Sequence, residues 1–153
     1  MRVAIGTDHA GFVLKERLKR ELEALGHQVV DVGTHSEAPA VDYPDFCFPV
    51  AEKVARGEAD RGVVLGGSGI GEAIAANKVD GIRAAVVTSE ETARLTRLHN
   101  DSNVLALGGR TIADAEDAVR WLRIWLETPF AGGRHERRVK KIEDYEQHHT
   151  LKR

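Results

Sequence analysis

Five short apolar runs, each followed by a stretch with helical periodicity, most restrict how this chain can fold. The runs cover residues 2–6, 29–32, 63–65, 82–87 and 103–108. Strands that alternate with helices predict a parallel sheet covered by helices on both faces. Because crossover connections are right-handed, we expect a doubly wound, five-stranded α/β sheet of Rossmann-like type with a C-terminal helix.

The helices are predicted from apolar spacing and from their end signals. The first has Phe12, Leu14, Leu18, Leu22 and Leu25 at helical spacing on one inward face and ends at Gly26. The others are expected from Asp42–Pro44 to Gly57, from near Glu72, from Ser89, from Ala113 to Leu126 and from Gly133 to Gln147. Residues 1–153 are expected to form one domain, with residues 148–153 as a frayed tail.

The composition of the chain argues against two classes of binding partner, nucleic acids and membranes. A net charge of −2 and a pI near 6.4 give no basic surface for nucleic acid, and no apolar run is long enough to span a membrane. Cys47 is the only cysteine, which excludes an intrachain disulfide and suits a reducing compartment. We therefore expect a soluble, cytoplasmic protein that binds neither nucleic acid nor membrane.

A glycine-rich loop follows the third strand, with the sequence Gly66-Gly-Ser-Gly-Ile-Gly-Glu72. Its glycines let backbone N–H groups approach a ligand closely, and the start of the next helix attracts anions. Ser68 and Glu72 add two reactive side chains. The loop predicts chemistry on an anionic small molecule, although a tight turn without chemistry is the alternative.

Three familiar loop types do not fit this stretch. A Walker A loop needs a lysine where Glu72 stands, and that carboxylate would repel a triphosphate. A nucleophile elbow needs glycine at the position of Ile70. A dinucleotide fingerprint fails because Glu72 replaces its last glycine.

The remaining candidates are polar residues at the ends of strands and helices. Asp8, His9, Ser68, Glu72 and Arg110 follow strands, so we expect them to converge where such sheets bind ligands, with His99 and Asn100 nearby. Simpler roles stay open, namely a helix cap for Asp8 or His99 and a loop residue for His9. Arg134 and Arg138 are four residues apart and could hold a phosphate, or lie on a solvated face. No metal site or cofactor is predicted, because no ligand spacing is present.

Four motifs in register resemble ribose-5-phosphate isomerase B, in a family that also holds the galactose-6-phosphate isomerase subunits. They are Gly6-Thr-Asp-His-Ala-Gly-Phe12, Gly66–Glu72 with Ala75-Ala-Asn-Lys78, His99-Asn100, and Gly133-Arg-His-Glu-Arg-Arg138. The resemblance covers residues 1 to about 147. It implies metal-free interconversion of an aldose phosphate and a ketose phosphate. One branch of the family uses a cysteine base at the position of Gly66, and the other a glutamate that matches Glu72.

The resemblance also implies roles for individual residues. Asp8 and His99 would open the sugar ring, and Glu72 would move the proton between C2 and C1 through an enediolate. The backbone of residues 67–71, which includes Gly67, Gly69, Ile70 and Gly71, would stabilise the oxyanion, and Ser68 would bind the reacting hydroxyls. His9, Arg110, Arg134 and Arg138 would hold the phosphate, while Tyr43 and Asn100 would contact the sugar. Cys47 would be structural.

Assembly and two other classes of function complete the sequence-based predictions. We expect a homodimer, or a tetramer built from dimers, in which His99 and Asn100 reach the partner's site. A serine hydrolase using Ser68 and His99, or a non-catalytic phosphosugar-binding module, are the alternatives. Ribose 5-phosphate is the expected substrate, with tetrose and hexose phosphates left open.

Overall fold

The computed structural model describes residues 1–149 as a parallel sheet with helices on both faces. The strands are β1 (Arg2–Thr7), β2 (Gln28–Asp31), β3 (Arg61–Gly66), β4 (Ala84–Val86) and β5 (Val104–Gly108). They pair in the order β2-β1-β3-β5-β4, and every pairing is parallel. The doubly wound five-stranded α/β fold predicted from the sequence is therefore confirmed.

Helices connect the strands in alternation. They are α1 (Phe12–Ala24), α2 (Pro44–Ala55), α3 (Ile70–Ala76), α4 (Glu90–Asn100), α5 (Ala115–Glu127) and α6 (Arg134–His148), with a 3-10 turn (His9–Gly11) before α1. The predicted opening of α4 is confirmed, because the Ser89 hydroxyl accepts from the Thr92 N–H at 3.0 Å and completes a capping box.

The core consists of two apolar layers, one on each face of the sheet. Alternate strand residues point to opposite faces, so Ile5 packs with α1, α4 and α5, whereas Ala4 packs with α2 and α3. Alanines are frequent on the second face, where Ala106 of β5 meets Ala73 and Ala76 of α3. These small side chains let α3 lie close to the sheet, which places its first turn against the end of β3.

Several predicted boundaries and one core residue were wrong. Leu25 lies beyond the end of α1 and is 40% exposed, rather than inward. Helix α3 begins at Ile70, two residues earlier than expected, and α5 begins at Ala115 rather than at Ala113. The predicted tail, residues 148–153, overlaps α6 at its first residue, and residues 150–153 lie outside the described part.

Candidate active site

The carboxyl ends of β1, β3 and β5 meet at one edge of the sheet, and most of the predicted site residues lie there. Gly66 pairs with Gly108 in register. Two backbone hydrogen bonds continue beyond the strands, from Gly109 N–H to Gly66 O at 2.7 Å and from Arg110 N–H to Gly67 O at 2.9 Å. The glycine loop and Arg110 are thereby held side by side.

Glu72 lies in the first turn of α3, and its carboxyl group folds back over Gly66. A Cβ atom at position 66 would overlap the Glu72 carboxyl group, so only glycine fits there. Glu72 is 3% exposed, and its Oε2 atom has no hydrogen-bond partner among the described residues. A buried carboxylate oxygen without a partner is costly, which makes Glu72 the leading candidate for a functional role at this edge.

Burial raises the pKa of Glu72, and the nearby negative charge of Asp8 raises this pKa further. The backbone N–H groups of Glu72 and Gly69 act in the opposite direction but do not offset the increase. The sequence left open whether burial or the helix N-terminus would dominate, and in the structure burial does. A carboxylate with a raised pKa is a stronger base toward a carbon acid.

Asp8 and His9 lie at the end of β1, and each is fixed by a backbone group. The buried Asp8 carboxylate accepts from Ala10 N–H at 2.9 Å, so its predicted capping role exists alongside its place in the site. The His9 Nδ1 atom accepts from Val41 N–H at 3.1 Å. A neutral His9 ring in this position carries its proton on Nε2.

The glycine loop itself differs in part from the prediction. Gly69 has a φ of +82°, which explains glycine at this turn. The Ser68 hydroxyl accepts from Ile70 N–H at 3.2 Å, so this N–H is engaged inside the loop. This corrects the expectation that every N–H group of residues 67–71 points to a ligand. The Tyr43 ring lies against Gly71, because a Cβ there would meet Tyr43 Cζ at 2.7 Å.

Four predicted site residues lie at the opposite, amino edge of the sheet. They are His99, Asn100, Arg134 and Arg138. Helix α4 starts at the carboxyl edge after β4 and runs antiparallel to the strands, so its 11 residues carry its end roughly 15 Å away.

Local contacts fix that position. Arg83 Nε, which precedes β4, donates to Asn100 O at 2.9 Å. The His99 ring stacks on His135 of α6, with ring centroids 4.2 Å apart.

The expectation that His99 and Asn100 lie near the other candidates is therefore wrong within a single chain. Ser68 has no His99 beside it, which removes the hydrolase pair from any one chain. His99 and the two arginines instead form a second group at the start of α6 and the end of α4. Burial and the charges of His99 and of the two arginines lower the pKa of His135, which the sequence did not mark as a site residue.

Cys47 is buried in α2, close enough to the site for the charges of the site residues to affect its thiol. Burial raises the pKa of the Cys47 thiol, and the charges of Glu72 and Asp8 raise it further. A thiol held protonated is a poor base or nucleophile. The sequence placed Cys47 far from the loop along the chain and could not reveal this proximity.

Three cavities, of about 310, 320 and 500 Å³, lie elsewhere, and none of them is lined by Glu72, Asp8 or Ser68. Within residues 1–149 no cluster of three His, Cys, Asp or Glu side chains could hold a metal ion. None of the helices described above is long and apolar enough to cross a membrane.

Comparisons with known proteins identify the family of the chain. The profile of the ribose/galactose isomerase family matches residues 3–142. Ribose-5-phosphate isomerase B of Mycolicibacterium paratuberculosis is 44% identical over 150 residues, which are 97% of this chain and 94% of that protein. The structure of Clostridium thermocellum ribose-5-phosphate isomerase B superposes with a TM-score of 0.93 and 49% identity, covering 96% of this chain and 98% of that one.

A further solved structure contains a ligand. Ribose-5-phosphate isomerase B of Mycoplasma genitalium with bound ribulose-5-phosphate has a TM-score of 0.92 and 40% identity, and 97% of each chain is covered. The family match spans nearly the whole chain, and the motifs at the sheet edge lie inside it. This chain belongs to the ribose/galactose isomerase family.

Proposed function

We propose that this protein is an aldose–ketose isomerase that interconverts ribose 5-phosphate and ribulose 5-phosphate. The observation that carries the proposal is the buried carboxyl group of Glu72 at the carboxyl edge of the sheet, whose Oε2 atom has no hydrogen-bond partner among the described residues. The names of the relatives, and the ribulose-5-phosphate bound to one of them, support the choice of sugar.

Glu72 is the proposed carbon-acid base. It takes the proton from C2 of the open-chain aldose and returns it to C1, so that an enediolate forms and collapses to the ketose. Its raised pKa makes proton abstraction easier, and the low-polarity surroundings favour transfer without competing water. No metal or cofactor is needed in this scheme, because one proton moves from C2 to C1, a second moves from the C2 hydroxyl to the C1 oxygen, and no electrons leave the sugar.

Gly66 explains why the base is a glutamate here. The resemblance places a cysteine at position 66 in the other branch of the family. In this structure the Glu72 carboxyl group occupies the space that a side chain at position 66 would need. The two solutions therefore compete for one volume, and this chain uses the carboxylate.

The glycine loop would stabilise the charge on the enediolate oxygens. Backbone N–H groups of Gly67 and Gly71 are the proposed donors, because the Gly69 N–H is directed at the Glu72 carboxylate. Each well-placed donor contributes about 3–4 kcal/mol to such an oxyanion. The Ser68 hydroxyl accepts one loop hydrogen bond and can still donate its own proton to a substrate oxygen. Tyr43, packed on the loop, would contact the sugar.

Ring opening and phosphate binding would each use residues from two chains. Asp8 and the partner's His99 would move protons between the ring oxygen and the anomeric hydroxyl, with the partner's Asn100 near the enediolate. His9 and Arg110 would bind the phosphate from one side, and the partner's Arg134 and the partner's Arg138 from the other. This division follows from the two sheet edges on which these side chains lie.

A two-fold dimer is the simplest assembly that would complete both sites. Ile70 and Ile74 support an interface beside the base, because they flank Glu72 on α3 and are 58% and 59% exposed. We propose a homodimer, or a tetramer built from dimers, acting in the cytoplasm on pentose phosphates.

The test is turnover over a panel of aldose phosphates, including ribose 5-phosphate, a tetrose phosphate and hexose 6-phosphates. We expect the highest kcat/KM with ribose 5-phosphate, together with solvent deuterium incorporation at the transferred position. A higher kcat/KM for another sugar would assign that sugar as the substrate. Binding without isomerisation of any sugar would refute the proposal that this protein is an isomerase.

A further inference from the structure

Lys15 of α1 is entirely buried, although lysine is rarely found inside a protein. Its Nζ donates to both carboxylate oxygens of Asp31, at 2.8 Å each, and to Thr34 O at 2.7 Å. Glu16 Oε1 lies farther away, at 3.6 Å. The ammonium group is thus satisfied at the point where the chain leaves β2.

Stabilisation of the fold does not by itself explain why this lysine is buried. Burying an ion pair costs several kcal/mol in lost hydration, and apolar replacements are often as stable. Burial acts to raise the pKa of Asp31, but hydrogen bonds from Lys15 and Lys19 outweigh it and hold the pKa below its usual value. What the pair does supply is a fixed geometry for the backbone that it contacts.

That backbone leads directly to the candidate site. Asp31 also accepts from Gly33 N–H at 2.9 Å. Thr7 N–H donates to Gly33 O, and Thr34 N–H donates to Thr7 O, both at 2.7 Å. Thr7 is the residue before Asp8, so the clamped segment is bonded to the end of β1.

Residues 34–43, which we term the strap, run from this clamp to the other side of the site. At the far end, Val41 N–H donates to His9 Nδ1, and the Tyr43 ring packs on Gly71 of the glycine loop. The strap therefore touches two residues to which a substrate-binding role is assigned above. Its near end is held by Lys15 through Asp31 and Thr34.

We propose that Lys15 is a positioning residue that holds the strap in place and thereby sets the His9 ring and the Tyr43 ring for the sugar phosphate. The catalytic part of this inference rests on the proposed function. The polar contacts of Lys15 are to Asp31, Thr34 and Glu16, none of which is a proposed catalytic residue, so Lys15 acts through the strap.

Lys15→Met tests the inference, with Lys19→Met as the matched control. Lys19 also bonds Asp31, at 2.7 Å, but no contact joins it to Thr34. Because small displacements of binding groups are expensive, we expect Lys15→Met to raise KM for ribose 5-phosphate about tenfold or more, with a smaller change in kcat. Lys19→Met should stay within about twofold of wild type for both.

Two measurements without substrate separate this inference from the proposed function. In Lys15→Met the Val41 amide should exchange hydrogen about tenfold faster or more, while core amides such as Val64 keep their wild-type rates. The ¹⁵N shifts of His9 should move from a single Nε2–H tautomer to a mixture. These results would support the strap mechanism even if ribose 5-phosphate proved to be the wrong substrate.

A second variant tests the inference if Lys15→Met does not fold. Lys15→Met/Asp31→Asn leaves no unpaired charge inside, and the side-chain amide oxygen introduced at position 31 can still accept from Gly33 N–H. This double variant should therefore fold and show the same changes. If either folded variant kept wild-type Val41 exchange, His9 tautomer and KM, Lys15 would not position the strap and the inference would be overturned. Equal effects of Lys19→Met would also overturn it.

Discussion

At the scale of single residues, the surroundings of Glu72 determine its chemistry. Glutamate at this position could be read from the sequence as a candidate, but its charge state could not. The raised pKa comes from burial between α3 and the end of β3 and from the charge of Asp8, two features set by packing between separate parts of the chain. The same limit applies to Lys15 and Cys47, whose surroundings no local pattern reveals.

Removing the carboxylate of Glu72 should remove the chemistry while keeping the shape of the site. We expect Glu72→Gln to lower kcat by about 10²–10⁴-fold, the usual contribution of a general base, with little change in substrate affinity. Exchange of the substrate C2 proton with solvent, followed by NMR, is the measurement. Near-normal exchange in the folded variant would remove Glu72 from this role.

The same substitution should change the pH dependence of stability. The pKa of Glu72 is raised in the folded state above its ordinary value of 4.5. The stabilising contribution of its protonated form is therefore complete below that value, and it is lost as the pH rises through the folded pKa. Glu72→Gln should melt above wild type at pH 7, and the gap should close near pH 4. A constant gap across this range would contradict the raised pKa.

Cys47 should be dispensable for turnover, because burial and two carboxylates keep its thiol protonated. Cys47→Ser should keep most of its kcat, with a loss of stability of about 1–3 kcal/mol if the new hydroxyl lacks a partner. Thermal melting and steady-state kinetics on the same sample distinguish the two effects. A folded but inactive variant would place the thiol in the reaction.

At the scale of elements, the sequence predicted the strands and helices well because their signals are local. The capping box at Ser89 and the run of β3 are examples. The start of α3 and the exposure of Leu25 were missed, since both depend on where a helix end meets the sheet. The position of His99 depends on helix direction, because an antiparallel α4 carries its last turn to the opposite edge.

Because α3 lies close to the end of β3, alanine substitutions at two neighbouring glycines should have very different effects on kcat. Gly66→Ala should displace the Glu72 carboxyl group and lower kcat by about 10²-fold or more, as expected when a catalytic group moves by about 1 Å. Gly67→Ala is the comparison, because its Cβ would lie 3.6 Å or more from its neighbours. Steady-state kinetics should show a much smaller loss for the second variant, and equal losses would contradict the packing argument.

Two arginines near the N-terminus of α6 are expected to bind the phosphate of the substrate. Arg134→Ala or Arg138→Ala should raise KM for ribose 5-phosphate by about 10- to 100-fold, the loss expected for a charge-assisted hydrogen bond of about 1.5–3 kcal/mol. KM for unphosphorylated ribose should change far less. Similar changes for both sugars would return these arginines to a solvated face.

At the scale of the whole molecule, the candidate residues divide between two edges of one sheet. Asp8, Ser68 and Glu72 lie at the carboxyl edge, whereas His99 and Arg134 lie at the amino edge. His99 precedes β5 along the chain, whereas Asp8 and Ser68 directly follow strands, and this order agrees with the division. The assembly that would reunite the two groups depends on surface fit, which no pattern in a single chain determines.

Subunit mixing tests whether Glu72 of one chain acts with the partner's His99. Glu72→Gln and His99→Asn are each expected to be inactive alone. When equal amounts exchange subunits, half of the dimers are mixed, and one of the two sites in each mixed dimer is intact. We expect recovery to about a quarter of wild-type activity with random pairing. No recovery, with exchange confirmed by mass, would contradict a site shared between chains.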